Sequence, residues 1–131
     1  MIYTIAGDPI SLQRPRVLRS GYTYNPQAKE QEEARIQLRI QHHSSCPHIC
    51  PLAISITFFM PILKALSNKK KSSIPGTPHF KRPDLDNLIK FVLDAANGVI
   101  FSDDSLVYSV TAKKIYDTFP RTEFTITPLE D

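Results

Sequence analysis

Ile2 to Ala6 alternates loosely between apolar and polar residues and reads as a strand stopped by Gly7-Asp8-Pro9. Ile10 to Asn25 is a loop with Pro15, Gly21 and three arginines, and Tyr22-Thr23-Tyr24 is a short strand inside it. Asn25-Pro26 then opens a helix, with Asn as cap, Pro at the first position, and Glu30, Glu32 and Glu33 near the positive end of the dipole. This helix runs to about His42, with Ala34, Leu38, Ile36 and Ile40 as its apolar side. Leu52 to Met60 is almost wholly apolar or β-branched and ends at Pro61, which predicts a strand with at least one buried face.

A second helix starts at or near Asp84. Leu85, Leu88, Ile89, Val92, Leu93 and Ala96 follow the i, i+3, i+4, i+7 rule, and Asn97-Gly98 stops it. Val99-Ile100-Phe101 is a short apolar stretch and Ser102-Asp103-Asp104-Ser105 a turn. Leu106 to Ile115 and Glu123 to Thr127 are the last two strands, joined through Asp117 to Arg121. Between the middle strand and the second helix, residues 64 to 81 show no packing periodicity and carry Lys69-Lys70-Lys71, two prolines and a glycine, so they read as a mobile basic loop. The order strand, helix, strand, helix, strand, strand predicts one α+β domain: a mixed or antiparallel sheet of about four strands packed with two helices.

Length and composition agree. The 131 residues suit a single core, and 41% hydrophobic with 22% charged residues is ordinary for a globular protein. No apolar run approaches the roughly 18 residues that span a bilayer. The first residues lack a charged segment followed by an apolar one, so a cytosolic location is expected. Cys46 and Cys50, among His42, His43 and His48, fit no common zinc-finger spacing, and Pro47 interrupts them. The stretch reads as a polar loop with inert thiols.

The net charge of +3 is mild, but its distribution is not. Ala34 to Pro83 has no Asp or Glu, yet holds Arg35, Arg39, Lys64, Lys69, Lys70, Lys71, Lys81 and Arg82. Asp84 to Asp104 then holds five of the 13 acids. Asp84 and Asp86 lie at the start of the second helix. Asp103 and Asp104 follow it, and if the apolar stretch between runs back along the helix, the two pairs meet. Four carboxylates can then hold Mg²⁺ or Mn²⁺ through oxygen, with Lys90 a turn away. Plainer explanations stand beside this: Asp84 as a helix cap, Asp86 and Lys90 as an i, i+4 ion pair, Asp103-Asp104-Ser105 as turn chemistry. They do not account for the acids being concentrated against so much basic chain.

Arg82-Pro83-Asp84-Leu85-Asp86-Asn87-Leu88-Ile89-Lys90, with Leu93-Asp94-Ala95, Asn97-Gly98-Val99-Ile100 and Asp103-Asp104-Ser105-Leu106-Val107, resembles the RusA family of Holliday-junction resolvases. Gly7-Asp8-Pro9, Arg14-Pro15-Arg16 and Tyr24-Asn25-Pro26 join the resemblance, which covers most of the chain. It implies one RusA-like endonuclease domain over residues 1–131, acting as a Mg²⁺-dependent homodimer that cuts four-way DNA junctions symmetrically. Asp84, Asp86 and Asp104 are then the catalytic acids and metal ligands, Lys90 the catalytic lysine, and Asp103 a further ligand or a supporting residue. Some relatives carry a denser run of arginines before the first Asp; here Lys81 and Arg82 stand there. Arg14, Arg16, Arg19, Lys69, Lys70, Lys71, Lys81, Arg82 and the pair Lys113-Lys114 would grip phosphates. The motif offers no Ser, Cys or His set for a covalent intermediate. Two other readings remain: a junction-binding module without catalysis, and a metal-dependent nuclease acting on flaps, single strands or RNA.

Overall fold

The computed structural model describes residues 1–13, 16–44, 46–63 and 72–129. Arg14 and Lys69-Lys70-Lys71, with the first part of the expected basic loop (residues 64–71), lie outside the described residues. The chain runs β1 (Ile2–Ala6), β2 (Arg16–Val17), β3 (Thr23–Tyr24), α1 (Ala28–Gln41), β4 (Leu52–Pro61), α2 (Leu85–Ala96), a short 3₁₀ turn (Asp104–Leu106), β5 (Val107–Asp117) and β6 (Arg121–Pro128). The main sheet has the order β1-β6-β4-β5. β4 and β5 are parallel, while β6 is antiparallel to both β4 and β1, so the sheet is mixed. β2 and β3 form a separate small hairpin.

Strict alternation in β4 makes the architecture clear. Leu52, Ile54, Ile56, Phe58 and Met60 are buried toward the helices, joined by Tyr3 and Ile5 of β1 and Phe124 of β6. α2 lies over this face and packs on α1. Its buried residues are Leu88, Phe91, Val92, Ala95 and Ala96, while Leu85, Ile89 and Leu93 are only half-buried. The buried stripe is therefore turned toward Phe91 and Ala95 relative to the expected one, because the helix packs against both sheet and α1. Gly98, just past the helix end, has φ +80°, a conformation favouring glycine, and allows the tight turn in which Ile100 N–H returns to the Ala96 carbonyl.

Two details differ from the sequence reading. α1 begins at Ala28 with Gln27 in the cap position, and Asn25 instead accepts from the Gln27 N–H in an Asx-type turn. Ile36 and Ile40 are exposed, since only Gln31, Ala34 and Leu38 of α1 reach the core. Gln41 and Gln37 spend their side chains on the backbone of β1.

Candidate active site

Asp84 occupies the N-cap position of α2, but its side chain makes no capping hydrogen bond. Asp86 and Lys90, one turn apart on the solvent side of α2, form no ion pair; the ion pairs among the described residues are Arg35 with Glu32, and Arg121 with Asp117 and Glu123. All three side chains are exposed. The plain structural roles available to these residues are thus unfilled. Asp84 and Asp86 sit at the positive end, and Lys90 in the middle, of a helix whose other side is buried, with Leu88 at 0% exposure, so the mount is rigid while the groups stay open. Asp103 differs. Its carboxylate accepts from the Ser105 N–H at 3.3 Å and from the Ser105 hydroxyl, and these bonds hold it below the usual carboxylate range. It caps the 3₁₀ turn, while Asp104 within that turn is exposed.

The approach to Asp84 is built from several elements. Asp8, Pro9, Met60, Pro61, Leu63, His79, Lys81, Arg82, Pro83 and Tyr116 line a cleft of about 320 Å³. Lys81 and Arg82 are exposed on its rim, and the Arg82–Pro83 peptide is cis. Lys114, expected to reach for phosphate, does something else. Its Nζ donates to the carbonyls of Lys81 and Pro83, each at 2.7 Å, and so pins the backbone leading into Asp84. Lys113, on the other sheet face, is exposed. Arg16 and Arg19 are exposed on the β2–β3 hairpin, and the segment feeding that hairpin is tied to the start of α2 by Leu12 N–H on the Asn87 carbonyl, 2.9 Å. Four of the basic residues expected to meet DNA, Arg16, Arg19, Lys81 and Arg82, are therefore solvent-facing. Nothing in the residue pattern marked Lys114 as a backbone anchor, because its partners are carbonyls 31 and 33 positions away.

The two acid pairs do not meet within one chain. Val99 to Phe101 turns tightly at the helix end and bridges to His48 rather than running back along α2. Asp103 and Asp104 thus stand where β4 and β5 begin, Leu52 being paired with Val107. Pro83, which leads directly into Asp84, stands where those strands end, lining one cleft with Met60 and Tyr116 and bonded by Lys114. Val107 and Lys114 are seven residues apart along β5, which at about 3.3 Å per residue separates the two ends by about 20 Å. Consistently, no group of three or more His, Cys, Asp or Glu side chains among the described residues is placed to hold a metal ion. The hard oxygen donors suit Mg²⁺ or Mn²⁺ by type, but one protomer does not gather them. The same finding applies to the histidines and to Cys46 and Cys50.

A small α+β domain with unpartnered acids and a lysine on a buried helix, bordered by exposed arginines and lysines, belongs to the class of proteins equipped to handle a phosphate backbone. Comparison with known proteins makes this specific. Residues 6–127 match the family described as Endodeoxyribonuclease RusA, and the protein belongs to that family of nucleases. It is 30% identical over 132 residues to the uncharacterized protein YqaN of Bacillus subtilis (strain 168), covering 95% of this chain and 93% of that protein. It is 40% identical over 78 residues to the crossover junction endodeoxyribonuclease rusA of Lactococcus phage r1t, covering 59% of this chain and 54% of that one. No described helix is long and apolar enough to cross a membrane.

Proposed function

We propose that this protein is a Mg²⁺-dependent endodeoxyribonuclease that resolves four-way DNA junctions by symmetric hydrolysis in recombination and repair. The observation that carries this reading is the set Asp84, Asp86 and Lys90: rigidly mounted, exposed, relieved of capping and ion-pair duty, and bordered by Lys81 and Arg82. Asp84, Asp86 and Asp104 are the catalytic acids that would hold Mg²⁺, with Mn²⁺ as a substitute. Asp103, already engaged by Ser105, supports Asp104 or adds a ligand. When bound, a divalent ion activates water and offsets charge on the phosphoryl oxygens. Lys90 balances charge at the scissile phosphate, and Arg16, Arg19, Lys81 and Arg82 hold the flanking backbone. Arg14 and Lys69-Lys70-Lys71 belong to the same proposed grip.

The division of the acids between opposite ends of α2 favours a homodimer. A two-fold axis that brings the beginning of one β5 beside the end of the other would unite Asp104 of one copy with Asp84 and Asp86 of its partner. Such a dimer carries two sites, as a cut on two strands requires.

The test compares wild type with Asp86→Asn on four-way, forked and linear duplex DNA at one salt concentration. Wild type should nick the four-way junction in Mg²⁺ at symmetric positions, and Asp86→Asn should lose at least 100-fold in cleavage while binding as well or better. Wild-type cleavage by Asp86→Asn removes the site assignment; equal cutting of forked DNA removes the junction preference.

A further inference from the structure

Phe80 is a large apolar side chain held out in solvent on a fixed backbone. It is 82% exposed. Both its neighbours are bonded to Lys114: the His79 N–H meets the Lys114 carbonyl at 3.0 Å, and the Lys81 carbonyl accepts from the Lys114 Nζ at 2.7 Å. Just before it, the Tyr116 N–H meets the Thr77 carbonyl at 2.9 Å and Pro78 bridges to Ile115, so this segment runs along the end of β5 as a short added strand. The exposure of Phe80 is therefore not that of a loose loop. An aromatic ring on a fixed backbone has few torsions left to freeze and makes a low-entropy platform for a flat partner.

The ring lines a cleft of about 450 Å³ whose other walls include Leu63, Ile74, Pro78 and Tyr116. The lining is nearly all apolar and contains no acid. Lys81 borders it, and Leu63, Lys81 and Tyr116 are shared with the cleft that ends at Pro83, just before Asp84. The surface therefore passes from an apolar hollow, over the exposed cations Lys81 and Arg82, to the acids. A nucleotide presents the matching succession, an apolar base face beside an anionic phosphate. An apolar peptide would fill the hollow but gain nothing from the two cations. In a stacked duplex the neighbouring bases cover each base face, so only an unpaired or splayed-out base can enter. Phe80 and Asp84 are four residues apart, a span of at most about 14 Å, which places that base within a few nucleotides of the phosphate at the acids.

We infer that the cleft beside Phe80 takes one unpaired nucleobase of the DNA strand whose phosphates Lys81 and Arg82 hold, with the Phe80 ring stacked on the base. The inference rests on the proposed action on branched DNA and names the residue that reads the branch. A base at a point where strands part has already lost a stacking neighbour, so it enters the cleft at lower cost than a base inside a continuous duplex.

The test measures binding of the whole chain, without divalent ion, to a four-way junction and to one of its strands alone. Bases are removed one at a time, as abasic sites, within a few nucleotides of the exchange point. For wild type, removal at one position should weaken binding at least about 5-fold, the lower end of what a stacked base contributes. Phe80→Ala should weaken binding to intact DNA by a like factor, lose nothing further at that abasic position, and keep the wild-type melting temperature, since the ring is exposed. The chain has no tryptophan, so in Phe80→Trp the indole emission should be quenched by intact DNA and not by the abasic form. Wild-type indifference to every abasic position overturns the inference. So does unchanged DNA binding by Phe80→Ala, the result expected if the cleft serves an apolar peptide. Additive losses overturn it too, because Phe80 then acts on something other than that base. If Phe80→Ala does not fold, an indole left unquenched by intact DNA overturns it. Cleavage in Mg²⁺ is scored separately: a protein that shows the coupling and cuts nothing loses the nuclease activity and keeps the base site, whereas junction cutting without the coupling does the reverse.

Discussion

Replacing Lys114 by Met should damage the site without touching an acid. Met keeps most of the apolar stem and removes the ammonium that donates to the Lys81 and Pro83 carbonyls at 2.7 Å. A hydrogen bond from a charged donor contributes about 1.5–3 kcal/mol when well buried. Lys114 is half-buried and the Lys81 carbonyl bond is exposed, so water replaces part of the loss. A total of about 2 kcal/mol is expected. In a urea titration with an m-value of about 2 kcal/mol/M, that lowers the midpoint by about 1 M. The freed carbonyls belong to the three-residue run Lys81-Arg82-Pro83 into Asp84, so the first acid loses its anchor. A displacement of about 1 Å in a reacting constellation costs on the order of 100-fold in rate. Cleavage of a four-way junction in Mg²⁺ should therefore fall 10- to 100-fold, while junction affinity, measured without divalent metal, changes little. Lys113→Met is the control: its exposed side chain should leave stability within about 0.5 kcal/mol of wild type. If Lys114→Met is as stable and as fast as wild type but binds DNA less tightly, Lys114 is a phosphate contact and the anchoring argument is wrong.

Leu88→Ala should lower unfolding free energy by about 3 kcal/mol in urea titrations, because Leu88 is wholly buried under the exposed acids and the helix cannot collapse onto the space left; a cost below about 1 kcal/mol would mean α2 is not the rigid mount described. Changing Lys69, Lys70 and Lys71 to Ala should reduce the slope of log affinity against log salt by up to about 3, and an unchanged slope would remove these lysines from the DNA grip. His79 has its pKa held below the usual 6.5, first by burial and then by Lys114 and Lys81. The unfolded chain therefore takes up this proton first as pH falls. Stability from this residue is fully present above about pH 6.5 and declines below it until the folded His79 also protonates. His79→Gln should flatten that acid decline in thermal melts; an identical decline in the variant would show that other groups cause it.

Much of the fold could be read along the chain because local periodicity and burial agree in its strongest elements. Alternation in Leu52–Met60 and the apolar stripe of α2 belong to segments that each bury one face, so composition at fixed spacing carries the information. The reading slipped where a helix is shared between two neighbours. α2 turned Phe91 and Ala95 inward because α1 packs on it as well, and α1 left Ile36 and Ile40 outside because glutamines at Gln37 and Gln41 face the β1 edge. Neither arrangement leaves a periodic trace.

By itself, the sequence determined the class of protein: an α+β domain with Asp84, Asp86 and Lys90 on one amphipathic helix, Asp103 and Asp104 soon after, and basic residues around them. These are statements about neighbours within a turn or a loop, where chain geometry leaves little freedom. The tertiary structure decided the distances that matter for chemistry. It showed Asp84, Asp86 and Lys90 without the cap or ion pair that would have explained them, put Lys114 to work on the backbone, and set Asp104 at the far end of α2 from Asp84. A rigid helix of 12 residues holds its ends about 18 Å apart, and because Val99 to Phe101 turns to pair with His48 instead of running back along it, Asp104 stays at the far end from Asp84.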